Sequence, residues 1–357
     1  MKGIVSAKQE AARPFLRLWL YVVAGLVFVM VIVGGATRLT DSGLSITEWK
    51  PLLGAIPPLG DADWNEAFRK YQMIPEYHLV NRGMTLEAFK FIYWWEWSHR
   101  FLGRFIGVAF FVPFVMFWVT RRIERAAIPR LLVLFVLGGL QGLLGWFMVK
   151  SGLVDRVDVS QYRLAAHLTL AMSIYAAIIW TALGVGAKPR HVLGSSAGKV
   201  AMGIVGLVLL QVALGGFVAG LKAGLNYNTW PLMADKIVPP GLGMLSPWWM
   251  NLFENPMTVQ FLHRCVAYVL FGVVTVLAWR HRTRMTSVLF VAVLGQAVLG
   301  VCTLLWHVPL WLALVHQAGA LVVLAAAVVH THHVASCAGA HDEPARAISK
   351  KLVADAA

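Results

Sequence analysis

The chain of 357 residues is 59% hydrophobic, only 13% charged, and carries a formal net charge of +14. Soluble globular domains carry about 25% charged residues, so this composition excludes an ordinary water-soluble fold. The positive excess lies in short segments between long apolar runs, which excludes the single basic face expected of a nucleic-acid binder.

A membrane-crossing helix needs about 20 apolar residues. Eight such stretches occur, near 16–36, 98–120, 130–149, 164–184, 200–221, 259–279, 285–305 and 311–331, here termed spans 1 to 8. Leu131–Val149, Leu164–Ala187, Val200–Leu221 and Met285–Trp306 hold no charged residue. Span 1 is too long for a removable signal peptide and lacks a small-residue cleavage site.

The basic residues fall in alternate segments: Lys2, Lys8, Arg13 and Arg17; Arg121, Arg122, Arg125 and Arg130; Lys188, Arg190 and Lys199; Arg280, Arg282 and Arg284; and Arg346, Lys350 and Lys351. Eight crossings put all of these on one side. The positive-inside rule makes that side cytoplasmic, with both termini inside, as in a multi-pass protein of the cell inner membrane. Cys265 and Cys302 lie in spans and Cys337 in the tail, so neither a structural disulfide nor a zinc site is expected.

The spans repeat. Span 3 reads Gln141-Gly-Leu-Leu-Gly145, span 5 Gln211-Val-Ala-Leu-Gly215 and span 7 Gln296-Ala-Val-Leu-Gly300; span 1 has the related Met30-Val-Ile-Val-Gly34-Gly35. The two long outer loops, Thr37–Trp95 and Lys222–Thr258, each follow the first helix of a four-helix half. The expected fold is therefore an all-α polytopic membrane protein, with eight transmembrane helices arranged as two pseudo-symmetric four-helix bundles, residues 1–190 and 191–357. In such a bundle the glycines allow close helix approach and the glutamines bond between helices. In the first loop, Trp64, Phe68 and Tyr71 recur at helical spacing, as in a segment lying along the membrane surface. Tyr93, Trp94, Trp95 and Trp97, and later Trp248 and Trp249, read as interface anchors.

Of twelve histidines, His99, His167, His263 and His316 lie near the outer ends of the even-numbered spans, two in each half. A lone intramembrane histidine is more often a helix–helix hydrogen-bond partner. Four at matched depth in both repeats point instead to function. Paired imidazoles on facing helices suit the fifth and sixth positions of a haem iron. No carboxylate or cysteine completes a zinc set in either half. Arginine follows two of these histidines, as Arg100 and Arg264, with Arg104 one turn along. An arginine in a span needs an anionic partner, and haem propionates would serve Arg100 and Arg264, whereas Arg104 could equally snorkel to headgroups.

The halves differ at one informative place. Glu96-Trp-Ser-His99-Arg100 aligns with Gln260-Phe-Leu-His263-Arg264, so only the first half has a carboxylate one turn before its histidine. A buried carboxylate can act as a base or stabilise a developing cation, which an amide cannot. The asymmetry suggests that the first half reacts and the second holds a permanent redox haem. The alternative is that Glu96 only ion-pairs with Arg100.

These residues resemble the haem A synthase family over roughly 15–335. The matching motifs are Gly34-Gly35-Ala36-Thr37-Arg38-Leu39-Thr40 with Ser42-Gly43-Leu44-Ser45, Glu96-Trp-Ser-His99-Arg100, His167, Asn228-Thr229-Trp230-Pro231-Leu232-Met233, His263-Arg264 and His316-Gln317. The resemblance implies an oxidoreductase that oxidises a methyl group of haem O to a formyl group, giving haem A for terminal oxidases. It implies that His263 and His316 ligate the iron of a haem b cofactor, that His99 and His167 flank the substrate haem iron, and that Glu96 is catalytic. The first outer loop has no cysteine, so the chain looks like the branch without a cysteine pair there, which includes mitochondrial and many proteobacterial enzymes. The expected partners are haem O and membrane lipids, with a haem O synthase, an electron acceptor and a second copy of the chain as further candidates. The rival readings are a di-haem b-type cytochrome for electron transfer and a haem carrier.

Overall fold

The computed structural model describes the backbone of residues 6–49, 53–155, 159–186 and 194–354, and the side chains of 6–49, 54–150, 159–186 and 194–336. The side chains of Lys2, Lys188, Arg190, Cys337, Arg346, Lys350 and Lys351, which entered the reading of charge and cysteines, lie outside this set. Among the described residues no strand forms. Eight helices are long and apolar enough to cross a membrane: Ala7–Leu39, Leu86–Val119, Ile128–Lys150, Gln161–Gly184, Ser196–Gly220, Pro256–His281, Arg284–Leu305 and Leu310–Ser336. They are spans 1 to 8.

Most span starts are capped by local chemistry. Ser6 and Gln9 form a reciprocal capping box at span 1. Thr85 Oγ1 accepts from the Ala88 amide at span 2. At span 6, Asn255 caps a helix with Pro256 in its first turn, where the missing N–H costs nothing. Two spans begin well before the hydrophobic limit. Span 1 starts at Ala7 and not near 16, and span 2 at Leu86 and not near 98. Both helices continue past the apolar stretch, because a capped polar segment can stay helical outside a bilayer.

The helices form two closed rings. Spans 1-2, 2-3, 3-4 and 4-1 touch in succession, as do 5-6, 6-7, 7-8 and 8-5. The rings join where span 4 meets span 5 and span 8 meets span 1, with 4 and 8 also in contact. Exchanging the two halves maps this pattern onto itself, which gives the expected pair of pseudo-symmetric bundles. At the 4-5 seam, a Cβ on Gly216 would lie 2.8 Å from the Ala165 Cα, and one on Gly220 would lie 2.6 Å from the Gln161 Cα. At the 8-1 seam, Gly35 lies against the Gln317 side chain, whose Nε2 donates to the Val31 carbonyl at 2.8 Å. Glu254 adds a polar tie between halves, accepting from Gln161 Nε2 and Tyr162 Oη, each at 2.7 Å.

The first outer loop is a folded cap. Its helix Asp61–Tyr71 buries Trp64 and Tyr71 against Phe89 and Tyr93 at the extended start of span 2. The apolar face found in the sequence thus turns inward to protein and not along a membrane surface. Tyr93 is correspondingly buried and not an anchor, while Trp94, Trp248 and Trp249 are exposed.

Candidate functional site

Each of the four span histidines sits against a glycine of the preceding span. A Cβ on Gly34 would lie 3.0 Å from His99 Nε2; one on Gly145, 3.1 Å from His167 Cε1; one on Gly215, 3.3 Å from His263 Cε1; and one on Gly300, 2.9 Å from His316 Cε1. The four imidazoles therefore occupy equivalent seats in the duplicated fold, although His99 lies well inside its lengthened helix. His99 and His167 are within electrostatic reach of each other, and so are His263 and His316. The structure brings the histidines together as two pairs, one inside each ring.

Three of the four are also held by an amide. Gln141 Nε2 lies 3.2 Å from His167 Nδ1 and donates to the His167 carbonyl at 3.0 Å. Gln296 repeats this with His316 at 3.2 and 2.9 Å. Gln211 repeats it with His263 at 3.2 and 3.0 Å, with the ring turned over so that Nε2 meets the amide and Nδ1 is buried without a partner. His99 has no such amide, because Met30 stands at the matching position. The glutamines bond between helices as the repeat predicts, and the glycines allow close approach; that both do so at the histidines is the structure's addition. Their fixed place in the odd spans, facing histidines of the even spans, was the signal of a site role.

Glu96 is 2% exposed and Gln260 3% exposed. Three donors converge on Glu96. Ser45 Oγ and the Ile46 amide donate to Oε2, each at 2.7 Å, and Arg100 donates to Oε1. Arg100 also donates to the Ile46 carbonyl at 2.8 Å and the Glu48 carbonyl at 3.1 Å. Glu96 and Arg100 thus form a buried ion pair that clasps the loop between spans 1 and 2. That loop is tied to the Asp61–Tyr71 helix by Lys70, 3.0 Å from Glu48. The Glu48 contact raises the Lys70 amine above its ordinary range, and the Arg69 guanidinium holds Glu66 below the usual carboxylate range.

The second half keeps the clasp and drops the charge. Gln260 Nε2 donates to the Ala223 and Tyr227 carbonyls, and Arg264 donates to the Tyr227 carbonyl at 3.0 Å. Arg264 has no carboxylate partner among the described residues, and its Nε is buried without an acceptor. An unmatched guanidinium beside an imidazole pair fits an anionic group on the ligand. Among the described residues no three His, Cys, Asp or Glu side chains cluster as a metal site, and paired imidazoles are a donor set that can take a haem iron. The orphan nitrogen of His263 and the orphan Nε of Arg264 fit a ligand that offers an iron to the one and an anionic group to the other.

Residues 17–328 match the family described as cytochrome oxidase assembly protein. The chain belongs to that family. Among its relatives, a Parvibaculum lavamentivorans protein named haem A synthase is 56% identical over 334 residues, covering 92% of this chain and 96% of the relative. Haem A synthases of Mesorhizobium japonicum and Azorhizobium caulinodans are 54% and 52% identical, each over 326 residues, covering 89% and 88% of this chain and 90% and 92% of the relatives. Family membership and eight apolar helices make the chain a multi-pass membrane protein.

Proposed function

We propose that this chain is a haem A synthase, a membrane oxidoreductase that converts a methyl group of haem O to a formyl group. The observation that carries this reading is the duplicated pair of glycine-seated histidines, with a buried carboxylate beside one pair only. His263 and His316, in residues 191–357, hold haem b, with Arg264 toward a propionate. His99 and His167, in residues 1–190, receive haem O. Basic inner segments orient both termini to the cytoplasm of a bacterial inner membrane. A haem O synthase and an electron acceptor are the expected partners.

Converting the methyl to a formyl group adds one oxygen, at the level of water, and releases four electrons and four protons, so the electrons must leave through the expected electron acceptor. Bound haem b supplies one-electron redox chemistry that no side chain here can provide. Gln211 and Gln296 orient its two imidazoles. Glu96 is held in place by Ser45, Ile46 and Arg100, so it offers the substrate a fixed negative charge against a developing cation, or a proton acceptor at Oε2 once Ser45 or Ile46 lets go. The charge balance of Arg100 lets this anion sit in a span.

The test is pigment extraction from cells that express the chain and supply haem O. Formyl-haem is expected from the wild type. Glu96→Gln should keep its haem b and accumulate haem O or a hydroxymethyl intermediate, because a positioned base contributes about 10²–10⁴-fold. A wild-type chain that holds two haems yet makes no formyl-haem is an electron-transfer cytochrome instead.

A further inference from the structure

The two halves handle their histidines differently, and the difference lies outside Glu96. We propose that the glutamines of spans 3, 5 and 7 are positioning residues that lock three imidazoles as iron ligands, and that Met30, in the same register of span 1, leaves His99 as the ligand that lets go when substrate enters and product leaves. This rests on the haem A synthase reading.

The three amide contacts are alike to within 0.1 Å, and in all three the glutamine Oε1 is buried with no partner. An imidazole that gives one nitrogen to iron must carry its proton on the other. The amide is the group beside that other nitrogen. Turning it by half a rotation would set the orphan Oε1 to accept the ring N–H, exchanging the Nε2 bond to the histidine carbonyl for one to the ring. A partner of this kind fixes ring orientation and tautomer, and its loss typically costs about 10–100-fold in metal affinity.

Met30 can do none of this, since a thioether does not donate and accepts only weakly. Its terminal methyl instead lies over Gly103, where a Cβ would come within 3.3 Å. Gly103 is one turn beyond His99. The corresponding places after His167, His263 and His316 hold Ala171, Ala267 and Ala320. The methionine and the glycine that admits it are thus a matched departure confined to the first half. Among the described residues no hydrogen bond holds the His99 ring. The neighbouring arginines differ in the same sense: Arg100 is neutralised by Glu96, while Arg264 keeps its charge for a ligand. Both departures loosen the half that must exchange its haem and spare the half that must keep it.

The test uses full-length protein purified in detergent after expression with a haem O supply. Transfer of haem O to an excess of a haem-scavenging apoglobin gives the release rate, and the low-spin ferric resonance reports ligation at each site. Met30→Gln should slow release about 10- to 100-fold and sharpen the low-spin signal of the substrate site, with haem b unchanged. Gln141→Met, which strips the His167 clamp, should speed release. Wild-type release rates and spectra in both variants would overturn the proposal. If Met30→Gln does not assemble with haem b, Gln141→Met decides alone. A wild type that carries haem b but takes up no haem O removes the haem A synthase reading, and this inference with it.

Discussion

The glycine seats give the sharpest quantitative test of the site. Gly300→Ala would put a Cβ 2.9 Å from His316 Cε1, where ordinary contacts begin at 3.4 Å, so the ring must yield by about half an ångström. That equals the roughly 0.5 Å tolerance of a preorganised site. The Gln296 clamp, one turn away on the same helix, holds the ring at the neighbouring Nδ1. Overpacking of this size costs about 1–3 kcal/mol, or roughly 5- to 150-fold in haem b retention at 1.4 kcal/mol per decade. Gly295→Ala, in the same helix, meets nothing within 4 Å and is the matched control. Gly215→Ala, at 3.3 Å from His263, should fall between them. The readout is haem b per polypeptide after gel filtration, with the low-spin spectrum. Full haem b in Gly300→Ala, or equal loss in Gly295→Ala, would refute the seat.

Replacing His263 or His316 by alanine should strip haem b or change its spectrum, whereas replacing His99 or His167 should leave it and abolish haem A; a normal haem b spectrum in both of the former variants would remove the ligand assignment. Reporter fusions within 37–95 and 222–258 should score outside and fusions near Arg122 and Arg282 inside, and a cytoplasmic signal from the loop at residue 240 would contradict the orientation. Arg100→Gln leaves a buried carboxylate unpaired, which costs about 3–5 kcal/mol, so its yield and thermal midpoint should fall. The double variant with Glu96→Gln should recover much of that stability without recovering product, and a double variant no more stable than Arg100→Gln would show that the pair is not coupled.

The span count and the repeat could be read from the sequence because both are periodic and long. The early starts of spans 1 and 2 were missed for a physical reason. Hydrophobicity reports where a helix crosses, and the extensions hold Glu10, Arg13, Glu87 and Lys90, which belong in water. Their caps were nevertheless visible as Ser6 with Gln9, and as Thr85 ahead of an acidic first turn. The paired histidines were found through their placement in both halves. Glu96 was located by its spacing from His99, but its partners were not, because Ser45 and Ile46 reach it from a loop some fifty residues away. The glycines carried the weakest signal. Periodicity reveals that a small residue is required and not which neighbour requires it.

A duplicated fold contains its own control, since equal positions face equal demands unless function separates them. The glycine seat is kept four times, so it serves any imidazole in this fold, reactive or not. The arginine clasp on the outer loop is kept twice, so it serves assembly. The amide clamp is kept three times and lost once, and the carboxylate occurs once. The lost clamp and the added carboxylate concern the same histidine: Met30 in span 1 holds the register of a clamp for His99, and Glu96 precedes His99 by one turn in span 2. Stability alone does not explain that coincidence. Gln260 shows that an amide at the carboxylate position supports the clasp, and three glutamines show that the clamp fits its register. On the function proposed above, the half that binds, changes and releases a substrate carries both departures, and the half that keeps its cofactor carries neither.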